Sequence, residues 1–254
     1  MHSVLAIMVL TLQASAAPQA GPPSTEELVE AWARVGPSIA SMSPVPVTLN
    51  RQDFETISNA RIAKRRIREA GPDRALGAMW VPIERNKIWV AILDDIHDHL
   101  LSSLTETRLG VSDQGHKLLY QHLDLPWPAQ NRQMVIEIQN NLPISTSTDG
   151  MLWERSWTLA EPSLMKQADA SAVWVPMTNG AWLLFPVQDG TVVVYHARST
   201  IGGRIPDELV TRWAMATLDE MMLHIVDRAG QIRDHYTAAH EIIIGGDEKP
   251  IPYF

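Results

Sequence analysis

Histidines, carboxylates and serines are where chemistry would be sought first. His97 and His99 stand among Asp94, Asp95 and Asp98, a local density of metal-ligand types. A helical zinc pair places its histidines at i and i+4, whereas residues at i and i+2 of a helix do not share a face. The spacing therefore argues against a metal centre. Nucleophilic catalysis finds no support: there is no G-x-S-x-G elbow, and no Ser/His/Asp constellation stands out. Ile201-Gly202-Gly203-Arg204 lacks the dinucleotide pattern and reads as a strand-to-helix turn. With 0 cysteines, disulfides, thiolate zinc sites, a cysteine nucleophile and a lipid-modified N-terminal cysteine are all excluded. Arg132, His196 and His224 remain as loose polar candidates. No catalytic residue, metal ligand or cofactor is assigned.

Composition narrows the class. The chain has 254 residues, of which 45% are hydrophobic, enough for one domain with extensions and a core closed without staples. A net charge of -8 argues against nucleic acid as a partner. The 9 tryptophans suit cavity walls and ordinary cores alike. At the N-terminus, residues 1–16 read as a signal peptide. Val4–Leu12 is apolar but too short to span a bilayer, and Ala14-Ser15-Ala16 supplies the cleavage site. Its n-region, Met1-His2-Ser3, carries no Lys or Arg. The expected mature protein is soluble outside the cytoplasm, periplasmic or secreted.

The elements that would position any site follow from periodicity and punctuation. Residues 17–60 read as a linker, a helix and an extended segment. Ser24 and Glu27 form a capping box for a helix ending near Val35, before Gly36-Pro37, and Pro44 and Pro46 keep the next stretch extended. Arg61–Arg68 and Ala75–Ile83 predict a hairpin about Gly71-Pro72-Asp73. Glu84–Leu100 predicts a helix from Ile88, Ile92 and Ile96. Thr105–Val111 and His116–Leu123 predict another hairpin, and Arg132–Asn140 and Met151–Leu159 alternate as strands. Asn179-Gly180 predicts a tight hairpin between Val173–Thr178 and Ala181–Val187, and Asp189-Gly190 turns into Thr191–Arg198. Pro206 to Ala229 predicts one long helix, with Asp207-Glu208 at its positive end and Gly230 as its stop. Residues 231–254 read as a tail. Strands joined mainly by short turns imply an antiparallel sheet.

Those elements, with Pro126-Trp127-Pro128, the downstream Arg132, the strand residues Gly180 and Trp182 followed by Pro186 and Gly190-Thr191, and the helix start Gly203, Ile205, Pro206, resemble the StAR-related lipid-transfer (START) domain family. Ile88-Trp89 and Asp94 resemble its helix after the second strand. The resemblance covers roughly Arg61 to Gly230 and departs at Gln133, where the family usually has Asp. It implies an α+β helix-grip fold over residues 61–230, with a curved antiparallel sheet wrapped around a long C-terminal helix. It also implies a tunnel under that helix that holds a hydrophobic ligand such as a sterol, fatty acid or phospholipid, for transport or sequestration.

Two readings of the terminal helix stand side by side. Glu208, Arg212 and Asp219 share one face, while Val210, Ala214, Thr217 and Met221 lie opposite, flanked by Trp213, Leu218 and Ile225. That apolar face either packs on the sheet or partly roofs a cavity. On the second reading Val210, Trp213, Ala214, Thr217, Leu218, Met221, Trp182 and Arg132 would touch the ligand, Arg132 as a polar handle. An enzyme on the same scaffold (a cyclase or hydrolase of an apolar substrate) and a solid-cored protein-interaction module are the alternatives, and fold alone does not separate them. The basic run Arg61, Lys64, Arg65, Arg66, Arg68 is either a solvated face balanced by acids or a transient contact for anionic membrane surfaces. Nothing in the sequence sets an oligomeric state.

Overall fold

A computed structural model of the chain describes residues 21–93, 103–203 and 205–254. The expected signal peptide, the histidine-aspartate cluster at 94–99 and the last part of the predicted 84–100 helix lie outside them. The elements run α1 (Thr25–Met42), α2 (Arg51–Ser58), β1 (Ala63–Ile67), β2 (Arg74–Val81), α3 (Arg85–Leu93), β3 (Leu104–Val111), β4 (Lys117–Leu123), β5 (Arg132–Asn140), α4 (Leu142–Ser147), β6 (Trp153–Leu159), β7 (Val173–Trp174), β8 (Met177–Val187), β9 (Gly190–Thr200), α5 (Asp207–Gly230) and α6 (Ile232–His235). The strands form one sheet in the order β1-β2-β9-β8-β6-β5-β4-β3. Every pairing along that path is antiparallel, and the short β7 runs parallel to β5.

The central strands are buried on both faces, and alternation sorts their side chains into two cores. On the inner face Met79, Val81, Trp182, Leu184 and Val193 pack with Ile88 and Trp89 of α3 and with Leu218, Met222 and Ile225 of α5. On the outer face Leu76, Ala78, Leu183, Phe185, Val192 and Val194 pack with Leu28, Val35 and Ile39 of α1, Phe54 and Ile57 of α2 and Ile144 of α4. Both helical layers therefore owe their place to strands that read as nearly continuous apolar runs.

Four sequence expectations are corrected. First, α1 does not stop at Gly36-Pro37 but continues to Met42. Leu28, Ala31, Val35 and Ile39 keep one buried stripe across the proline, and Ser41 Oγ donates to the Pro37 carbonyl at 2.9 Å. Tertiary burial outweighs the backbone bond that a mid-helix proline forfeits. Second, residues 51–58 are helical rather than extended, started by a capping box between Asn50 and Asp53. Third, Asn179-Gly180 is not a turn: both lie inside β8, paired on one side with Thr158 and Trp157 and on the other with Arg198 and Ala197. The glycine is there for room. A Cβ on Gly180 would stand 2.3 Å from the Trp157 ring and 2.3 Å from the His196 carbonyl. The hairpin turn sits instead at Gln188-Asp189, between the paired Val187 and Gly190. Fourth, the segment after α5 packs rather than trails. Ile232, Tyr236 and Ile251 join the inner core, and the Tyr236 hydroxyl donates to the Ile251 carbonyl and accepts from the Ile243 amide, each at 2.8 Å.

α5 lies across the inner face at Gly77. A Cβ there would stand 2.5 Å from Met222 Sδ and 2.7 Å from a Leu218 methyl, so the missing side chain sets how closely the helix approaches β2.

A candidate ligand cavity between α5 and the sheet

Away from Gly77, helix and sheet diverge and leave a cavity of about 250 Å³. Its sheet wall carries Leu119, Leu123, Met134, Ile136, Ile138, Trp157, Trp182 and Tyr195, and Ala91 and Ile92 of α3 close one side. From α5 come Val210, Thr211, Trp213, Ala214 and Met221. Trp213 is 43% exposed and stands at the rim, whereas Met221 is buried deep in the wall. Tyr195 fixes the middle of the wall. Its ring stacks on Trp157 with centroids 5.6 Å apart and tilts against Trp182 at 4.6 Å. Burial pushes the Tyr195 hydroxyl well above the ordinary tyrosine value, so it remains a neutral hydrogen-bonding group at physiological pH.

Of the residues assigned to a ligand from sequence, Val210, Trp213, Ala214, Met221 and Trp182 converge on this cavity, and Thr217, Leu218 and Arg132 do not. Leu218 is consumed by the contact with β2 at Gly77. The Thr217 hydroxyl donates back to the Trp213 carbonyl at 3.2 Å. Arg132 is 2% exposed and works as a bracket: Nε donates to the Ile201 carbonyl at 2.6 Å and Nη2 to the Gly202 carbonyl at 3.1 Å. It ties the start of β5 to the loop that launches α5. The neighbouring Gln133 uses both ends of its amide. It accepts from the Tyr120 hydroxyl at 2.9 Å and the Asp169 amide at 3.1 Å, and donates to the Asp169 carbonyl at 2.8 Å. A carboxylate at this position would lack the donor.

Sequence reasoning did not single out the polar members of the wall. Arg155 and Tyr195 point inward from β6 and β9, and Glu106, Gln121, Thr178 and Ser199 line the other end. Their signal was strand alternation: Arg155 sits between the inward Trp153 and Trp157, and Tyr195 between Val193 and Ala197.

The loose catalytic candidates do not meet. Arg132, His196 and His224 are all absent from the cavity wall. His196 faces the opposite side of the sheet, fully buried, where Arg74 Nη1 donates to its Nδ1 at 3.1 Å. Burial, aided by the Arg74 charge, lowers its pKa to about 3. The imidazole is therefore neutral, with its proton on Nε2. Three residues of the basic run are ion-paired: Lys64 with Asp219 at 2.5 Å, Arg65 with Asp53 at 3.1 Å, and Arg66 with Asp73.

No protein-family model matches the sequence, and no curated protein matches it. Solved structures do. A STAR-related lipid transfer protein fragment from Xanthomonas axonopodis superposes with a TM-score of 0.54 at 20% identity, over 67% of this chain and 93% of that one. Human STARD10 gives 0.54 at 12% identity, over 76% and 84%. Human StAR-related lipid transfer protein 5 gives 0.50 at 10% identity, over 82% and 98%. The chain has the START-like helix-grip fold, α+β, with its curved antiparallel sheet gripping α5.

Proposed function

We propose that this protein binds one hydrophobic molecule in the cavity under α5 and carries or sequesters it. The observation that carries the proposal is the cavity itself, whose wall is largely apolar with a few polar groups, the usual composition of a small-molecule site. Binding is driven by removing apolar surface from water, at roughly 25 cal/mol per Å². Two of the solved structures that share the fold, the Xanthomonas axonopodis fragment and the human StAR-related protein 5, are named lipid transfer proteins, which supports a lipid as cargo. Export, which rests on the N-terminal pattern, would place that cargo outside the cytoplasm.

Contact with a membrane falls to exposed rings and alkyl groups rather than to the basic run. Trp127 is 91% exposed between its two prolines, and Leu209 and Trp213 are 50% and 43% exposed on successive turns of α5. Tryptophan favours the membrane–water boundary, where its ring is apolar and its N–H is wet.

Incubation with a lipid extract, repurification and native mass spectrometry test the proposal. A mass increment of one lipid per chain is expected. Failure to retain any lipid from several extracts, with the protein folded, sinks it.

A further inference from the structure

The sheet carries a second depression on its outer face, where the helical cover stops. The apolar core under α1, α2 and α4 takes residues from β1, β2, β8 and β9 and none from β4 or β5. Strand parity turns Glu137 and Gln139 of β5 and Ser156 and Thr158 of β6 to that open part of the face. Register pairs Glu137 with Thr158 and Gln139 with Ser156, so the four side chains stand as neighbours in a square. The turn before β4 adds Gln114 and His116, and these six line a cavity of about 140 Å³. Trp157 also borders it, but its ring is stacked on Tyr195 on the inner side of the sheet.

Two features separate this depression from an ordinary solvated strand face. Ser156 forms its floor: the residue is fully buried, and its Oγ has no hydrogen-bond partner among the described residues. Buried hydroxyls are normally paired, and the depression is where a partner for this one would sit. His116, in turn, is held in one orientation. Its Nδ1 lies 3.0 Å from Glu137 Oε1, and a carboxylate only accepts, so the proton is on Nδ1 and the neutral ring presents Nε2 as an acceptor. The two side chains are 34% and 25% exposed, which shields the carboxylate in part from water and strengthens its pull on a charge.

The wall therefore favours a ligand that donates. Glu137 accepts, His116 Nε2 accepts, and no Lys or Arg lines the depression, so an anion, a phosphate included, meets no cation there. A hydrocarbon meets almost no apolar surface. One histidine and one carboxylate fall short of a metal's ligand set, and no group of three metal-ligating side chains occurs among the described residues. A compact cation with several N–H donors matches the carboxylate and the imidazole, and a hydroxyl matches Ser156, which can both donate and accept. At roughly 30 Å³ for each water-sized group, the space holds on the order of four or five heavy atoms. We propose that this outer-face pocket binds a small free amino alcohol of the ethanolamine class, with its ammonium at Glu137 and its hydroxyl at Ser156. The site lies on the opposite side of the sheet from the cavity under α5 and does not depend on what that cavity holds.

The isotope-labelled full chain is titrated at neutral pH with ethanolamine, ethylamine and ethylene glycol, and binding is followed by NMR. Ethylamine keeps the ammonium and lacks the hydroxyl, and ethylene glycol keeps the hydroxyl and lacks the charge. Ethanolamine is expected to shift the amides of Glu137, Gln139, Ser156 and Thr158 and to bind at least tenfold tighter than ethylene glycol, since charge-assisted hydrogen bonds are the stronger ones. It is also expected to bind severalfold tighter than ethylamine. Glu137→Gln is expected to bring ethanolamine to the level of ethylene glycol, and Ser156→Ala to bring it to the level of ethylamine. Equal binding of ethanolamine and ethylene glycol by the unaltered protein overturns the ammonium assignment, and equal binding of ethanolamine and ethylamine overturns the role of Ser156. A preference for the amine that survives in Glu137→Gln overturns the placement. Tighter binding of glycerophosphoethanolamine, the soluble head of a lipid, than of ethanolamine overturns the free amine as ligand. Shifts centred elsewhere, or none in folded protein, overturn the site itself. Should Ser156→Ala fail to fold, the three-ligand comparison in the unaltered protein and Glu137→Gln, a change at a part-exposed side chain, decide.

Discussion

Filling the cavity from α5 should abolish uptake without unfolding the protein. Ala214 is half-buried, lines the cavity and stands one residue from the rim Trp213. Ala214→Trp adds an indole of about nine ring atoms to a space of about 250 Å³. If the ring excludes only about three methylenes of a bound chain, at ~0.8 kcal/mol each, the loss is about 2.4 kcal/mol, on the order of fiftyfold in Kd. The helix itself should lose only ~0.5 kcal/mol from the poorer propensity of tryptophan. Ala216→Trp is the control, since Ala216 is exposed on the same helix and absent from the cavity wall. Calorimetric titration with hexadecanoic acid, alongside thermal melts of both variants, provides the assay. Ala214→Trp should lose binding and Ala216→Trp keep it, with similar melting temperatures. Unchanged uptake by a folded Ala214→Trp protein would remove this helix face from the site.

Three further outcomes follow from the packing. Neutral His196, with a folded pKa of about 3 against an unfolded value near 6.5, contributes stability that is complete above pH ~6.5 and is lost as pH falls towards 3. Between pH 7 and pH 4.5 urea unfolding should show a loss of roughly 2–3 kcal/mol that is missing in His196→Asn; identical pH profiles for the two proteins would contradict the buried neutral imidazole. Gly180→Ala should cost more than ~3 kcal/mol, because its Cβ meets backbone, whereas Gly77→Ala meets flexible tips of Met222 and Leu218 and should cost ~1–2 kcal/mol; denaturation midpoints in the reverse order refute the packing argument. Arg132→Ala should destabilise by ~3 kcal/mol and Arg132→Lys should recover little of it, because a fork to two loop carbonyls is lost; a full rescue by lysine in thermal melts would mean that charge alone matters at this site.

Much of the architecture was legible because it rests on local rules. The capping box at Ser24, the hairpin between β1 and β2 and the long helix after Pro206 stand where caps, turn residues and periodicity put them. Two of the failures share one physical cause, a distant partner that changes the meaning of a local signal. Asn-Gly is a strong hairpin pair, yet here the glycine answers Trp157, a ring from a neighbouring strand. Gly-Pro ends most helices, yet α1 is held through it by Val35 and Ile39 against the sheet. The helix at 51–58 was legible: Asn50 and Asp53 form the same kind of capping box as Ser24 and Glu27, and Phe54 and Ile57 are the apolar face it needed.

The site was half legible, for a reason that lies in how α5 sits. A helical wheel gives the angle at which residues leave the axis but not how the axis lies on the sheet. At Gly77 the helix touches β2, so the residues over that point, Leu218 and Met222, become core. Nearer the N-terminus of α5 the same apolar face stands off the sheet, and Val210 and Ala214 become wall, while Met221 reaches the wall from beside the contact. One stripe thus serves both readings, packing at one end and roofing at the other. The boundary between them is set by one missing Cβ on a strand some 140 residues earlier in the chain, since Gly77 and Leu218 are 141 positions apart. The cation followed a different rule. Arg155 was not singled out from sequence, since charged groups are usually at the surface. Strand parity nevertheless commits it inward with Trp153 and Trp157, and it is 7% exposed in the cavity wall.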